Sequence, residues 1–195
     1  MDRDEVRELH FITSIDNLHS ILMRGILCHN RAARLAHTSV ASESVQDIRH
    51  GKSVPNGSSL HSYANLYFHA RNPMMYCLQH LPNLIVIRVS SDVLDISNTV
   101  ITDGNAATWN THFHPSPGGL SELDSELIFA RYWTDSDYMK YLEKKRARNA
   151  EVLVPGLVPS EYIEGCYVDT QEKRRACLER ENLTAVDVRR EIFFK

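Results

Sequence analysis

The stretch that most constrains the fold is Leu84-Ile85-Val86-Ile87-Arg88-Val89, which follows the turn signal Pro82-Asn83. Its residues are almost all apolar and mostly β-branched, which predicts a strand that is covered on both faces. We therefore expect this strand to lie at the centre of a β-sheet. A chain of 195 residues is long enough to bury such a strand within one domain.

The other patterns mix short strands and short helices. Strands are predicted at residues 6–13, 26–28, 65–69, 100–102, 151–154, 162–168 and 192–194. Helices are predicted at residues 14–25, 45–49, 73–78, 123–133, 138–146 and 171–180. Regular alternation of strand and helix is absent, so this mixture predicts a single α+β domain over residues 1–195.

Composition and charge exclude several classes of function. The formal net charge is −3, which opposes a general attraction to nucleic acid but permits a local basic patch. No apolar run is long enough to cross a bilayer, and the N-terminus lacks the layout of a secretion signal, so we expect a cytoplasmic protein. The four cysteines lack Cys-x-x-Cys spacing and the histidines lack metal-site spacing, so neither a disulfide framework nor a metal is expected.

One carboxylate follows a cationic run directly before the strand at residues 151–154. The run contains Lys140, Lys144, Lys145, Arg146 and Arg148, and the carboxylate is that of Glu151. A carboxylate between cations and an apolar strand can hydrogen-bond a hydroxyl or accept a proton, because its environment sets its role. A solvated residue at the strand entrance is the alternative, and these residues alone leave both interpretations open.

Four segments, taken together and in order, resemble a known family. They are Leu9-His10-Phe11-Ile12-Thr13 with the helix to residue 22, Leu66 to Tyr76, Thr102-Asp103-Gly104-Asn105-Ala106-Ala107, and Ala150-Glu151-Val152-Leu153-Val154. This arrangement is similar to that of the DarT family of DNA ADP-ribosyltransferase toxins. The resemblance implies a PARP-like ADP-ribosyltransferase fold in which two small sheets, flanked by short helices, form an NAD cleft.

The resemblance also implies an activity and partners. ADP-ribose would be transferred from NAD to a guanosine or thymidine base of single-stranded DNA, and the intact loop at residues 103–107 favours guanosine slightly. The protein would be the toxin of a toxin–antitoxin pair, and a macrodomain antitoxin would remove the modification. NAD would serve as a substrate without any metal, and we expect a monomer that does not bind membranes.

The resemblance assigns the catalytic roles to Glu151 and Arg49. Breaking the nicotinamide glycosidic bond passes through an oxocarbenium-like cation, which gains from a carboxylate at the neighbouring 2-hydroxyl. The acceptor base must also lose a proton to a general base. Arg49 would clamp the pyrophosphate or polarise the base with its planar guanidinium. Because the polar segment at residues 29–60 is shorter than in the family, Lys52 or Arg34 remain alternatives for this role.

The first strand departs from the family pattern. Family members carry a His two residues before the Thr of this strand, but here Phe11 has that position and His10 precedes it. Strand neighbours face opposite sides. Either the backbone of residues 11–13 holds the nicotinamide while Phe11 packs on it, or a bulge turns His10 inward. The implied NAD-binding residues are His10, Phe11, Ile12, Thr13, Ser20, Arg49 and Tyr67, and Asn17 is either a further one or a structural cap.

The implied DNA-binding residues fall in two groups. The first is Arg71, Met74 and Tyr76, and the second is Lys145, Arg146, Arg148 and Asn149. In the first group an arginine would meet a phosphate, while aromatic and Met surfaces would contact bases. The second group would position phosphates beside Glu151, and we therefore expect a cationic DNA track along residues 144–148.

Overall fold

The computed structural model describes residues 1–181, 183 and 185–195. Within them, the large sheet has eight strands in the order β10-β9-β4-β1-β3-β7-β5-β6, and β2 and β8 form a second sheet. The strands are β1 (Glu8–Ser14), β2 (Ile26–Leu27), β3 (Tyr63–Tyr67), β4 (Leu84–Ser90), β5 (Val100–Thr102), β6 (Phe113–Pro115), β7 (Glu151–Pro155), β8 (Leu157–Val158), β9 (Ile163–Val168) and β10 (Val186–Val188). Neighbouring strands are antiparallel except β9 and β10.

The large sheet is almost divided between β1 and β3. Strand β1 pairs with β4 along its whole length, from Glu8 opposite Ser90 to Ser14 opposite Leu84. It pairs with β3 only at His10 and Tyr67. The large sheet therefore consists of two four-stranded halves that are joined at one residue pair. The predicted α+β fold with two small sheets is confirmed, and the two halves correspond to these sheets although they are hydrogen-bonded into one.

The central strand of the first half is β4, as its composition predicts. It lies between β1 and β9, and Leu84, Ile85, Val86 and Ile87 are at most 1% exposed. Alternate residues serve different cores, because Ile85 and Ile87 pack in the main core while Leu84 and Val86 pack in a second cluster. Burial on both faces is what an almost continuous apolar strand requires.

Short helices flank the sheet. They are α1 (Leu18–Arg24), α2 (His29–Ala32), α3 (Glu43–His50), α4 (Pro73–Leu78), α5 (Ser125–Ile128), α6 (Tyr138–Ala147) and α7 (Gln171–Glu181). The predicted start of α4 is confirmed, because the Asn72 side chain accepts a hydrogen bond from the Met75 amide at 2.9 Å. Helix α1 ends at Gly25, whose φ is +80° and whose added Cβ would lie 2.2 Å from the Val158 carbonyl oxygen, so only glycine fits there.

Two predicted elements are wrong. Residues 192–194 are not a strand, because they belong to a 3-10 turn, Arg190–Phe193, and Phe194 has a φ of +59°. The aromatic character of this segment serves packing, since Phe193 is fully buried in the same cluster as Leu84. The predicted helix at residues 123–133 is limited to α5. The short strands β6, β8 and β10 were not predicted.

No helix in residues 1–181, 183 and 185–195 combines the length and the apolarity that crossing a membrane requires.

Candidate active site

A cavity opens where the two halves of the large sheet separate. Its volume is about 510 Å³, which is within the range of small-molecule sites. Residues 11–13 of β1 form one wall, and Tyr63, Ala64, Asn65 and Tyr67 of β3 form the opposite wall. Residues of α2, α3 and the segment between them cover it. Hereafter this space is called the cleft.

Glu151 lies at the head of the cleft, held by strands on both sides. As the first residue of β7, it is paired with Tyr67 of β3 and with Thr102 of β5. Its side chain is fully buried, and that of Arg49 from α3 is 6% exposed. Arg49 Nη1 donates to Glu151 Oε2 at 3.1 Å and to Oε1 at 3.4 Å. The fold thus brings together a carboxylate and a guanidinium that are 102 residues apart in the chain.

Burial and mutual attraction have opposite effects on the pKa values of Glu151 and Arg49. Burial raises the pKa of Glu151, and the attraction of Arg49 together with the Ala106 backbone limits the rise. For Arg49, burial opposes the charge but the attraction of Glu151 prevails and raises its pKa. Burial and the nearby Glu151 charge raise the pKa of Tyr67, so its phenol stays neutral. Glu151 is therefore a carboxylate with increased proton affinity, which suits a general base.

Arg49 separates Glu151 from the cleft. Arg49 lines the cleft but Glu151 does not. Arg49 Nη2 is buried and has no hydrogen-bond partner within the described part of the chain. Buried donors are normally paired, so this nitrogen is available to an incoming acceptor. A ligand that enters the cleft meets Arg49 first and reaches Glu151 only when the guanidinium moves aside.

The two alternatives to Arg49 lie elsewhere. The Lys52 ammonium donates to the Thr108 carbonyl at 2.6 Å and lies 5.5 Å from the centroid of the Phe113 ring. Burial and the neighbouring Arg49 lower the pKa of Lys52. Arg34 is exposed and is not part of the cleft wall. Of the three candidates, only Arg49 has an ion pair with Glu151 in the described structure.

Most of the predicted NAD-binding residues meet in the cleft, but two do not. Phe11, Ile12, Thr13, Arg49 and Tyr67 line it. His10 faces a second cavity instead, because β1 pairs with β4 without the bulge that would turn it inward. Ser20 lies within α1, outside the cleft wall. Of the two arrangements considered for the first strand, the structure has the one with Phe11 inside.

Asn17 contributes more than its position in the sequence indicates. Its amide nitrogen donates to Thr13 Oγ1 at 3.0 Å and to the Thr38 carbonyl at 2.8 Å. Its amide oxygen accepts from the Thr38 amide at 2.9 Å. Asn17 therefore fastens the 37–42 segment to β1 and is itself part of the cleft wall. Its place in the first matching segment was the only sequence signal for this role.

Two histidines in the cleft wall were not predicted. The rings of His29 and His61 stack with centroids 4.0 Å apart, and both line the cleft. Burial and the neighbouring positive charges lower the pKa of each, which favours the neutral form of both rings. Among the described residues no group of three or more His, Cys, Asp or Glu side chains could hold a metal ion.

The first predicted DNA-binding group is divided between surfaces. Met74 lines the cleft, and its sulfur accepts a hydrogen bond from the Tyr67 hydroxyl at 3.1 Å. Tyr76 is 51% exposed and packs edge-on against Trp133 and Phe194. The Arg71 guanidinium donates to the Glu191 carbonyl and faces the second cavity.

The second group does not form one exposed cationic track. Lys145 is exposed and Asn149 lines the cleft. Arg146 is held by Asp103 and by the Asn110 carbonyl at 2.7 Å. Arg148 is only 2% exposed and donates to the Ile128 and Arg71 carbonyls. The expected track is corrected at Arg148, because α6 ends at Ala147 and the next side chain turns inward.

His69 makes the stability of this region sensitive to acid. Its Nδ1 accepts from the Arg71 amide and from Arg148 Nη2, both at 3.0 Å. Burial and the charge of Arg148 lower the pKa of His69 to about 3. In the unfolded chain a histidine takes up a proton near pH 6.5. The stability that the neutral His69 ring contributes to the fold is therefore complete above that pH and is lost as the pH falls toward 3. We expect the free energy of unfolding to drop by about 1–2 kcal/mol between pH 7 and pH 5 from this residue.

Urea unfolding at pH 7 and pH 5 measures the effect. The pH dependence of His69→Gln should be shallower than that of the wild type, whereas His80→Gln, at an exposed position, should keep the wild-type dependence. Equal pH dependence in all three proteins would show that His69 is not the group responsible.

Comparisons with known proteins agree with this geometry. A family model described as "ssDNA thymidine ADP-ribosyltransferase, DarT" matches residues 10–194. A DNA ADP-ribosyl transferase of Thermus sp. (strain 2.9) is 32% identical over 180 residues, which cover 86% of this chain and 83% of that protein. A DNA ADP-ribosyl transferase–DNA ADP-ribosyl glycohydrolase fusion protein of Thermosipho africanus is 36% identical over 180 residues, and the match spans 85% of this chain but only 43% of the fusion protein.

Solved structures give the same result. Thermus sp. 2.9 DarT in complex with ADP-ribosylated ssDNA superposes with a TM-score of 0.82 at 27% identity, covering 97% of both chains. Thermosipho africanus DarTG in complex with ADP-ribose has a TM-score of 0.82 at 32% identity, covering 96% of this chain and 51% of that one. Because the family model spans nearly the whole sequence and the fold agrees, the chain belongs to the DarT family.

Proposed function

We propose that residues 1–195 form one catalytic domain, a monomeric NAD-dependent ADP-ribosyltransferase that modifies a base of single-stranded DNA. The observation that carries the proposal is the buried Glu151–Arg49 pair at the head of a cleft between the two sheet halves. A related Thermus DarT has been solved in complex with NAD+ and in complex with ADP-ribosylated ssDNA. The nicotinamide end of NAD enters the cleft beside residues 11–13 and Tyr67.

Arg49 admits the substrate by exchanging one anion for another. In the structure its Nη1 holds Glu151 while its Nη2 has no partner among the described residues. The NAD pyrophosphate offers Arg49 a bidentate anion, and when the guanidinium turns to it the Glu151 carboxylate is uncovered. Glu151 then accepts a hydrogen bond from the 2-hydroxyl of the nicotinamide ribose. Asn17 keeps the covering segment in place through its bonds to Thr38.

The transfer step follows from the position of the carboxylate. The bond between ribose C1 and the nicotinamide nitrogen breaks, its electron pair leaves with nicotinamide, and positive charge develops on the sugar. The negative charge of Glu151 stabilises that charge through the 2-hydroxyl. A ring nitrogen of the DNA base then bonds to C1, and the proton that this nitrogen loses passes to Glu151. Because burial raises the pKa of Glu151, it is suited to accept that proton.

We propose thymidine as the acceptor, because the family model that matches this chain is described by that base. This replaces the preference for guanosine, which rested on the loop at residues 103–107 alone. In the structure that loop is fixed by the Asp103–Arg146 ion pair, and Asn105 reaches the cleft. Met74 and Asn149 also line the cleft and complete the wall that the base would meet.

We also propose a partner that removes the modification. The Thermosipho relative unites a DNA ADP-ribosyl transferase and a DNA ADP-ribosyl glycohydrolase in one fusion protein. By analogy with that fusion, this chain would be the toxin and a macrodomain glycohydrolase its antitoxin. Since NAD and DNA are both cytoplasmic, we place the activity there.

Labelled NAD tests the proposal directly. The purified protein is incubated with labelled NAD in three separate reactions, which contain single-stranded DNA, RNA or protein as the acceptor. Mass spectrometry of an oligonucleotide panel then identifies the modified base. We expect label on DNA that contains thymidine. Label on RNA or protein alone would show that the enzyme modifies another acceptor. Absence of label on every acceptor would indicate a nucleotide-binding protein without catalytic activity.

A further inference from the structure

A second cavity, of about 640 Å³, lies on the other side of the thin wall that bounds the cleft. Consecutive residues face the two spaces, since Phe11 lines the cleft and His10 the second cavity, and Asn149 lines the cleft and Arg148 the second cavity. Because consecutive Cα atoms are about 3.8 Å apart, one layer of chain separates the two. The two cavities therefore lie on opposite sides of the same two chain segments, β1 and residues 148–149.

The second cavity is cationic although the whole chain is acidic. Five arginines line it, against three glutamates: Arg7, Arg71, Arg131, Arg148 and Arg189. The negative charge of one glutamate is already balanced by an arginine, because Glu8 accepts hydrogen bonds from Arg88 at 2.7 Å and from Tyr167 at 2.6 Å. Burial opposes the charge of Glu8, but hydrogen bonds from His10, Tyr167 and Arg88 lower its pKa to about 2. The remaining positive charge favours an anionic ligand.

Two buried side chains in this cavity have polar atoms without a partner in the described part of the chain. They are Nδ1 of His10, whose side chain is 9% exposed, and Nε of Arg148, which is 2% exposed. Both residues are fixed by other bonds, His10 to Glu8 at 3.1 Å and Arg148 to the Ile128 carbonyl. Both residues line the second cavity, and a polar atom without a partner gains from a hydrogen bond to a ligand.

Aromatic rings complete the site. Phe129 and Tyr132 are both in the wall, and Tyr132 is 57% exposed at the surface. The Arg131 guanidinium lies 5.4 Å from the centroid of the Tyr132 ring. Exposed aromatic rings beside arginines are the combination with which proteins stack bases and bind phosphates of single strands.

We propose that the second cavity binds a nucleotide of single-stranded DNA that flanks the acceptor base. This inference rests on the proposed function, because it takes the cleft as the place where the acceptor base is modified. Arg7 and Arg131 are exposed and face the flanking phosphate, whereas Tyr132 and Phe129 hold the flanking base. The protein would thus grip the DNA on both sides of the wall that carries His10 and Arg148.

Oligonucleotide binding, which needs no turnover, tests the proposal. The double variant Arg7→Glu/Arg131→Glu is compared with Arg24→Glu/Arg175→Glu, which changes the net charge equally at exposed residues outside both cavities. By fluorescence anisotropy with a thymidine-containing oligonucleotide of about ten nucleotides, we expect roughly tenfold weaker binding and a shallower salt dependence for the first variant only. Free thymidine, which has no flanking nucleotide to place in the second cavity, should bind both variants alike.

Three outcomes would overturn the proposal. The two double variants could bind the oligonucleotide with equal affinity, or the wild type could fail to bind it. The third is that this cavity binds free thymidine monophosphate in place of the oligonucleotide. Photocrosslinking of an oligonucleotide with iodouracil beside the acceptor gives an independent measurement, and we expect the crosslink at Tyr132 or Phe129. If the wild type binds the oligonucleotide in this way but transfers no ADP-ribose, the proposed function fails and the binding site stands.

Discussion

Replacing Glu151 with Gln should lower kcat/KM for ADP-ribosyl transfer to DNA by roughly a thousandfold, as the loss of a charge that acts in the transition state does. Gln keeps an oxygen that can accept from Arg49 and from the 2-hydroxyl, but it carries no negative charge and cannot take the proton of the acceptor base. The loss should appear in kcat, while the affinity for NAD changes only severalfold.

The matched control is Glu143→Gln, an exposed carboxylate on α6, which should keep wild-type kinetics. Rates are measured by mass spectrometry of a thymidine oligonucleotide, and NAD affinity by calorimetry. Circular dichroism must show that Glu151→Gln is folded at the assay temperature. A folded Glu151→Gln variant that retains the wild-type transfer rate would exclude Glu151 as the catalytic carboxylate.

Replacing Arg49 with Met should have the second largest effect, on stability as well as on transfer. The change leaves Glu151 buried without its cation, which costs about 3 kcal/mol or more of unfolding free energy at pH 8. Without Arg49 the pKa of Glu151 rises further above its value in the unfolded chain. A carboxyl group whose pKa is higher in the folded protein than in the unfolded chain destabilises the fold at high pH, and the fold regains stability as the group takes up a proton. Arg49→Met should therefore become more stable from pH 8 toward pH 6.

Urea unfolding at the two pH values measures this, and the double variant Arg49→Met/Glu151→Gln provides the control. With the charge of Glu151 removed, the double variant should recover much of the lost stability and show no gain toward pH 6. Transfer should fall at least a hundredfold in both variants, because in the proposed mechanism Arg49 also binds the NAD pyrophosphate. If Arg49→Met were as stable as the wild type at pH 8, the buried ion pair would not have the electrostatic role described here.

Much of the fold follows from local patterns. The apolar run at residues 84–89 identifies the interior strand β4, and the Asn72-Pro73 pair fixes the start of α4, because capping and burial act over a few residues. The aromatic end of the chain was mistaken for a strand because a buried turn and a buried strand require the same apolar residues. The near division of the sheet between β1 and β3 depends on pairing between distant segments, which no local pattern encodes.

The site shows the same limit. The sequence predicted that Glu151 begins a strand, and the resemblance to the family indicated an arginine from the polar segment at residues 29–60. That Arg49 covers Glu151 became visible only when 102 residues of intervening chain were folded. Arg148 looked like part of an exposed basic run, but its guanidinium is needed by the Ile128 and Arg71 carbonyls inside the protein. His10 and Phe11 could be told apart only by the register of β1.

A crystal structure of the Glu151→Gln variant with NAD bound would show whether position 151 meets the nicotinamide ribose. We expect the nicotinamide ribose in the cleft between β1 and β3, with its 2-hydroxyl within about 3 Å of the side chain at position 151, the usual length of such a hydrogen bond. The Arg49 guanidinium should have turned to the pyrophosphate. NAD bound outside the cleft, or with its ribose remote from position 151 while Arg49 still covers that side chain, would show that Glu151 is not the carboxylate that binds the ribose.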